Sequence, residues 1–128
     1  MSEIHLILPG SIRSKKNSKR LIQAGNRRMV IPSKAYMAWE RQVQASIEYC
    51  CGHVYKRPLL PQGDVHVEAH VYYKGSKPDL SGALESIGDA LEGYVWANDG
   101  QIVSWDGSRL HHDLKNPRTE VTVRWEAS

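Results

Sequence analysis

Residues 64–93 read DVHVEAHVYYKGSKPDLSGALESIGDALEG, and they contain the clearest strand and helix patterns of the chain. The first ten of these residues, Asp64–Tyr73, alternate between apolar and polar side chains, which is typical of a strand with one buried face. A short connection, Gly75–Pro78, follows the strand. Apolar residues then recur at spacings of three and four, which predicts a helix over about Asp79–Gly93.

This second predicted helix has two different faces. At 100° per residue, one arc is apolar and is expected to face the core: Leu80, Leu84, Ile87, Leu91 and Tyr94. The opposite arc carries Ser81, Gly82, Glu85, Asp89 and Glu92. Asp79 stands at the N-terminus of the helix, where its carboxylate either caps the helix or faces whatever the end of the strand faces.

The remaining segments complete an α+β pattern. A first helix is expected from Ser33, its N-cap, to near Cys51-Gly52. Ser108–His111 is either the partner or the continuation of a strand at Gln101–Trp105. Other strands are predicted at Ile4–Leu8, in a hairpin over Arg20–Val30, and at Thr119–Trp125. We expect a single domain over residues 1–128, a mixed β-sheet with two helices packed on it, in the order β-β-β-α-β-α-β-β.

Length and composition exclude several classes of protein. A chain of 128 residues is the size of one domain, and 41% hydrophobic with 24% charged residues is ordinary for a globular protein. The apolar stretches are far shorter than the roughly 20 residues that a membrane-spanning helix needs. The start of the chain lacks the pattern of a secretory signal, so we expect a cytoplasmic location and no membrane partner.

Charge is distributed unevenly along the chain. Between Asp79 and Ser108 there are six acidic residues and no Lys or Arg, whereas Ser11–Lys34 contains eight Lys or Arg and no acid. Basic side chains neutralise phosphates without reading sequence, which suits recognition of a DNA shape, although a solvated segment is the alternative. The predicted DNA-binding residues are Arg13, Lys15, Lys16, Lys19, Arg20, Arg27, Arg28 and Lys34.

The segment Pro78–Ile102 resembles the signature of the RusA family, Holliday junction resolvases that are common in phages. The residues in register with that signature are Asp79, Asp89-Ala90-Leu91, Asp99 and Gln101-Ile102. Pro9-Gly10 and the basic residues after it resemble the opening strand and basic loop of the family. The resemblance implies a small homodimer that binds four-way DNA junctions and nicks them with Mg²⁺, or with Mn²⁺, and without a small-molecule cofactor.

The chain departs from the family pattern at four positions. The second aspartate of the pattern falls on Ser81, the following Asn on Gly82, and the catalytic lysine on Glu85, while Asn98 replaces the first of two closing acids. Glu85 lies one helical turn after Ser81, so its longer side chain is able to replace the lost carboxylate. Lys74 or Lys77 is able to supply the missing positive charge from the loop before the helix.

The predicted catalytic residues are therefore Asp79, Glu85, Asp99 and Lys77, and the predicted metal ligands are Asp79, Glu85, Asp99 and Asp89. Asp89 is a ligand, a carboxylate that supports the ligands, or a helix-packing residue. Two other functions remain open. The chain is either a catalytically inactive protein that binds branched DNA, or an interaction protein whose acidic helix contacts a basic partner.

Overall fold

A computed structural model of the protein describes residues 1–13, 19–25, 27–48, 59–60 and 62–126, with only the backbone over 19–24 and 27–32. The elements are β1 (Ser2–Pro9), β2 (Lys19–Ala24), β3 (Arg27–Pro32), α1 (Lys34–Ile47), β4 (Val65–Tyr73), α2 (Leu80–Ala90), β5 (Ile102–Ser104), β6 (Arg109–His112) and β7 (Arg118–Trp125). A 3₁₀ turn, Asp99–Gln101, precedes β5. The predicted α+β class and element order are confirmed. No helix in the described ranges is long and apolar enough to cross a membrane.

Five of the strands form one mixed sheet. β7 pairs antiparallel with both β1 and β4, and β5 and β6 pair parallel with successive parts of β4. Ser108–His111 therefore continues the sheet edge that β5 begins instead of folding back on it. Where this edge is interrupted, the Ser108 hydroxyl accepts a hydrogen bond from the Ala69 amide at 2.9 Å, which satisfies a β4 amide that neither β5 nor β6 pairs with. β2 and β3 form a separate hairpin, as predicted.

The inward side of β4 and one face of α1 form much of the core. Val65, Val67, Ala69 and Val71 are buried, which confirms the alternation in the sequence. α1 begins after Ser33, whose hydroxyl accepts a hydrogen bond from the Tyr36 amide at 3.1 Å, and it contributes buried Tyr36, Trp39, Val43 and Ile47. The predicted end of this helix, near Cys51-Gly52, lies outside the described residues.

α2 differs from the predicted helix in its length and in its buried face. It ends at Ala90, three residues earlier than predicted, and Gly82, predicted to face outward, is buried. Ile87 is fully buried as predicted, but Leu84 is only partly buried. Most buried residues of α2 are small, so the helix backbone lies close to its neighbours: Gly82, Ala83, Ser86, Gly88 and Ala90. The predicted face counted only the large apolar residues, whereas a helix that packs closely against its neighbours also buries small ones.

Candidate active site

Asp79 ends the loop that follows β4 and caps α2. Its backbone is extended (φ −78°, ψ 125°), and its Oδ2 atom accepts hydrogen bonds from the Gly82 amide at 3.3 Å and the Ser81 hydroxyl at 3.0 Å. A carboxylate at this position also interacts favourably with the positive end of the helix dipole. Asp79 is exposed, so the other face of its carboxyl group remains open to solvent or a ligand.

Glu85 and Asp99 line one groove of about 330 Å³, which we call the carboxylate groove. Glu85 comes from the middle of α2, and Asp99 from the 3₁₀ turn before β5. The other lining residues are Ser81, Leu84, Gly88, Ile102 and Trp105. In the described part of the chain, neither carboxylate forms an ion pair or accepts a hydrogen bond. The groove thus holds two exposed acids, and none of its described lining residues is positively charged.

Gly88 is the residue of α2 that faces the Asp99 turn. A Cβ atom placed on Gly88 would be 3.8 Å from Asp99 Cβ and 3.8 Å from Ile102 Cδ1, which is ordinary van der Waals contact. The carbonyl oxygen of Gly88 also accepts a hydrogen bond from the buried Trp96 indole at 3.1 Å. Trp96 thereby fixes the segment before Asp99 to the same helix that carries Glu85.

Side chains around Asp99 hold the turn in its shape. Asn98 Oδ1 accepts a hydrogen bond from the Gly100 amide at 2.7 Å, and Gln101 Oε1 accepts hydrogen bonds from the Ala97 and Asn98 amides at 2.9 and 3.2 Å. The Asp99 amide donates to Glu92 at 3.1 Å. All of these bonds use the backbone of the turn, so the Asp99 carboxylate itself stays available.

The acids of α2 also act on α1. The buried Tyr36 hydroxyl donates a hydrogen bond to Glu40 at 2.7 Å. Burial raises the pKa of Tyr36, and the hydrogen bond to Glu40 and the negative charges of Glu40, Asp89 and Glu85 raise this pKa further. Tyr36 therefore stays protonated near these carboxylates and donates to one of them.

Asp89 is half-buried and lines neither the carboxylate groove nor the groove beside Asp79.

A second groove, of about 560 Å³, lies beside Asp79, and we call it the β4 groove. Lys77, from the loop after β4, and Arg109, from the edge strand β6, line it together with Asp79. Ser81 connects the two grooves, because it lines the carboxylate groove while its hydroxyl donates to Asp79. The predicted catalytic residues Asp79, Lys77, Glu85 and Asp99 thus fall on two neighbouring grooves along one side of α2.

The four predicted metal ligands are not gathered at one point. Among the described residues, no three His, Cys, Asp or Glu side chains are close enough to hold one ion. Glu85 and Asp99 share a groove, Asp79 is engaged as a helix cap, and Asp89 lies apart from both grooves. The two carboxylates that share a groove are the type and number of ligands that Mg²⁺ commonly takes from a protein, with water and substrate completing its coordination.

The predicted DNA-binding residues are only partly within the described structure. Arg13 and Lys34 are exposed, and Arg13 lines a small groove with Lys74. Lys15 and Lys16 lie outside the described residues. The backbone of Lys19, Arg20, Arg27 and Arg28 belongs to the β2–β3 hairpin, and their side chains are not described.

Several residues that shape the site were not predicted to do so. Gly88 packs against the Asp99 turn, Gln101 holds the turn through its hydrogen bonds, and Trp105 is half-buried in the carboxylate groove. Glu40 was not singled out, although it lies one helical turn after Tyr36. Gly88 could have been noticed in the sequence, because a glycine inside a helix costs about 1 kcal/mol relative to alanine and often has a packing reason.

Comparison with family models gives a match that covers most of the chain. The model of a family described as Endodeoxyribonuclease RusA matches residues 9–124, which is most of the chain. No curated protein matches the chain. The match covers β2 to α2, both grooves and nearly all of β7, so it includes every residue of the candidate site.

Proposed function

This chain belongs to the RusA family of endodeoxyribonucleases, whose members resolve Holliday junctions, and we propose that it nicks Holliday junctions or related branched DNA in a Mg²⁺-dependent reaction. Such a reaction serves recombination and repair. The observation that carries the proposal is the carboxylate groove, where Glu85 and Asp99 face the same space without a partner among the described residues. Both acids also lie within the matched family segment.

Two carboxylates are the kind of donor set that Mg²⁺ uses beside a phosphodiester. Mg²⁺ is commonly bound by one or two carboxylates, and water and substrate phosphate oxygens complete its octahedron. When bound, the ion makes a water molecule nucleophilic and offsets the charge that develops on the phosphate. Glu85 and Asp99 would hold the ion, and Mn²⁺ would suit the same oxygen donors. Asp79 and Asp89 remain further candidates for this role.

Lys77 takes the place of the missing family lysine in this proposal. It is exposed in the loop directly before Pro78 and Asp79, and it lines the β4 groove. An ammonium group there would offset negative charge on a phosphate that lies between the β4 groove and the carboxylate groove. Asp79 positions the start of α2, and with it Ser81 and Glu85, through its helix cap.

The shape of a four-way junction suggests where the protein would contact DNA and why it would act as a dimer. The basic residues between Arg13 and Lys34 would bind phosphates on either side of the crossover. A four-way junction has two-fold symmetry, so a symmetric homodimer would place two copies of the site on opposed strands.

A catalytically inactive, junction-binding protein is the second candidate. The observation in its favour is the state of Asp79, whose Oδ2 atom is already used by the Gly82 amide and the Ser81 hydroxyl. Ser81 also stands where the family pattern has a second aspartate, so the acid that would pair with Asp79 is missing. Under this alternative the fold and the basic surface are kept for binding alone.

A cleavage assay separates these two functions. An end-labelled four-way junction and a matched linear duplex are incubated with the native chain, with Asp99→Asn and with Asp106→Asn, in Mg²⁺ or in EDTA. Asp106→Asn is the matched control because Asp106 is exposed in the same acidic segment but does not line the carboxylate groove. We expect paired nicks on the junction in Mg²⁺ only, unchanged in Asp106→Asn and reduced at least about 100-fold in Asp99→Asn.

Each outcome decides between the candidates. Junction binding without nicks in Mg²⁺ or Mn²⁺ would overturn the proposed nuclease and support the inactive binder. Nicks that persist in Asp99→Asn would remove the carboxylate groove from the chemistry. Equally weak association with the junction and the linear duplex would contradict both DNA functions.

A further inference from the structure

Two grooves meet at the carboxyl end of β4. The β4 groove, lined by Lys77, Asp79 and Arg109, adjoins a groove of about 170 Å³ that is lined by Arg13 and Lys74. Tyr73 and Pro78 line both grooves, so they form the boundary where the two join. We call the joined pair the β4 path.

The β4 path carries four basic side chains that have no ion-pair partner among the described residues. In the described residues, Arg13, Lys74, Lys77 and Arg109 are all exposed, and none of them forms an ion pair or a side-chain hydrogen bond. Among the described residues that line the two grooves, Asp79 is the only acid, and its Oδ2 atom caps α2. Four cations along a concave surface favour a polyanion, and they would give salt-dependent binding.

The contrast with other arginines shows that these cations are not tied up in the fold. Arg118 contacts Asp113 at 3.1 Å and Glu120 at 2.7 Å, and Arg124 contacts Glu3 at 2.8 Å. Those arginines lie on β7, where carboxylates are available on the same surface. Arg109 lies on β6, and within the described chain it has no such carboxylate.

Tyr73 gives the β4 path an aromatic surface between its two pairs of cations. The ring is half-buried and packs against His112 at a centroid distance of 5.3 Å and an angle of 59°. A ring at the boundary of two cationic grooves is the arrangement that proteins use to bind single strands, because an unpaired base stacks on the ring while phosphates contact the cations. A base within a duplex is already stacked on its neighbours and does not offer a free face.

We propose that the β4 path binds one unpaired DNA strand, with Tyr73 as the stacking surface and Arg13, Lys74, Lys77 and Arg109 as the phosphate contacts. This inference rests on the proposed function, because stacking is interrupted at the crossover of a junction and bases there unpair more readily than bases within a continuous duplex. The strand leads past Asp79 and Ser81 to the carboxylate groove, where Glu85 and Asp99 lie. The path thereby selects branched DNA over a continuous duplex.

Binding of a short fluorescein-labelled oligothymidylate, measured by anisotropy in EDTA over a series of salt concentrations, tests this inference. The variants are Tyr73→Ala, Tyr73→Phe, the double change Lys77→Gln with Arg109→Gln, and Lys115→Gln as the control. Lys115 is exposed and lines neither groove of the path. A duplex of the same length is the comparison ligand.

We expect Tyr73→Ala to weaken binding of the single strand at least about fivefold and Tyr73→Phe to retain native affinity, because stacking needs only the ring. The double change should reduce the slope of log K against log salt by about 1.4, since each phosphate contact on a single strand contributes about 0.7. Lys115→Gln should leave the slope within error of the native value. The salt slope does not depend on Tyr73, so the inference stays testable if Tyr73→Ala fails to fold.

Native affinity and native salt slope in all variants would overturn the inference. The same would follow from losses of equal size on the single strand and on the duplex. If the native chain nicks junctions while these variants bind normally, the β4 path is wrong and the proposed nuclease stands. If the native chain binds neither oligonucleotide nor junction, the proposed function itself fails.

Discussion

The outward face of the sheet and the grooves beside α2 use charged residues in opposite ways. On the sheet, Arg124 contacts Glu3 and Glu68, and His70 contacts Glu68 at 2.7 Å and His111 at 2.8 Å. In the grooves, Glu85, Asp99, Lys77 and Arg109 have no ion-pair partner among the described residues. The paired charges balance one another within the fold. A groove lined by unpaired charges concentrates ions of the opposite sign, so it suits a ligand that supplies the opposite charge.

We expect the largest effect from removing an unpaired acid of the carboxylate groove. Glu85→Gln keeps the size of the side chain and removes its charge, so we expect nicking of a four-way junction to fall at least about 100-fold. The free energy of unfolding should change by less than about 0.5 kcal/mol, because Glu85 is exposed. Junction cleavage and urea denaturation measure the two effects.

Glu126→Gln is the matched control for that change, because Glu126 is exposed and lies outside the carboxylate groove. It should retain native cleavage. Cleavage by Glu85→Gln at the native rate would show that Glu85 has not taken over the role of the missing aspartate at position 81.

Trp96→Phe tests how the Asp99 turn is attached to α2. Trp96 is fully buried, and the change removes its hydrogen bond to the Gly88 carbonyl and leaves a small cavity. We expect a loss of about 1–3 kcal/mol in the free energy of unfolding. Urea denaturation gives the value, and a loss below about 0.5 kcal/mol would contradict the attachment.

Gly88→Ala tests how closely the Asp99 turn approaches α2. The added methyl group would lie 3.8 Å from Asp99 Cβ, so it fits without displacing the turn. Alanine in a helix interior is about 1 kcal/mol more favourable than glycine, so the variant should be more stable by about 0.5–1 kcal/mol. Thermal denaturation checks this, and a destabilised variant would mean that Asp99 lies closer to α2 than its contacts indicate.

The paired charges of the sheet should produce a measurable dependence of stability on pH. The hydrogen bond from His70, together with that from Arg124, lowers the pKa of Glu68 below its usual value of 4.5. The hydrogen bonds from the Asn116 and Lys115 amides, and from Arg118, lower the pKa of Asp113 below 3.8. A carboxylate with a lowered pKa contributes stability that is complete above its unfolded pKa and is lost as the pH falls through its folded pKa.

Stability should therefore decline as the pH falls below about 4.5, and the decline should be shallower in a Glu68→Gln, Asp113→Asn double variant. Urea unfolding at a series of pH values measures this slope. Equal slopes in the native chain and the variant would mean that these two pairs contribute nothing to the acid dependence.

Much of the fold could be predicted because its periodicity is local. The alternation in Val65–Tyr73 and the N-caps Ser33 and Asp79 depend only on residues a few positions apart, and the structure has the strand and both caps. The end of α2 and its buried face could not be predicted in the same way. They depend on the space left by β5 and the Asp99 turn, which are distant in sequence from the middle of the helix.

The sequence was enough to predict an α+β domain and an acidic segment after a basic one. It also carries, at Asp79–Gln101, a signature that lies within the segment matched by a nuclease family. Which of the acids line a common groove depends on the tertiary structure. Glu85 and Asp99 line one groove, and the hydrogen bond from the Trp96 indole to the Gly88 carbonyl holds the segment before the turn against α2. Asp79 is held at the helix end, and Asp89 lines neither groove. The number of acids is a property of composition, but the distance between two carboxylates depends on packing between elements that local periodicity does not specify.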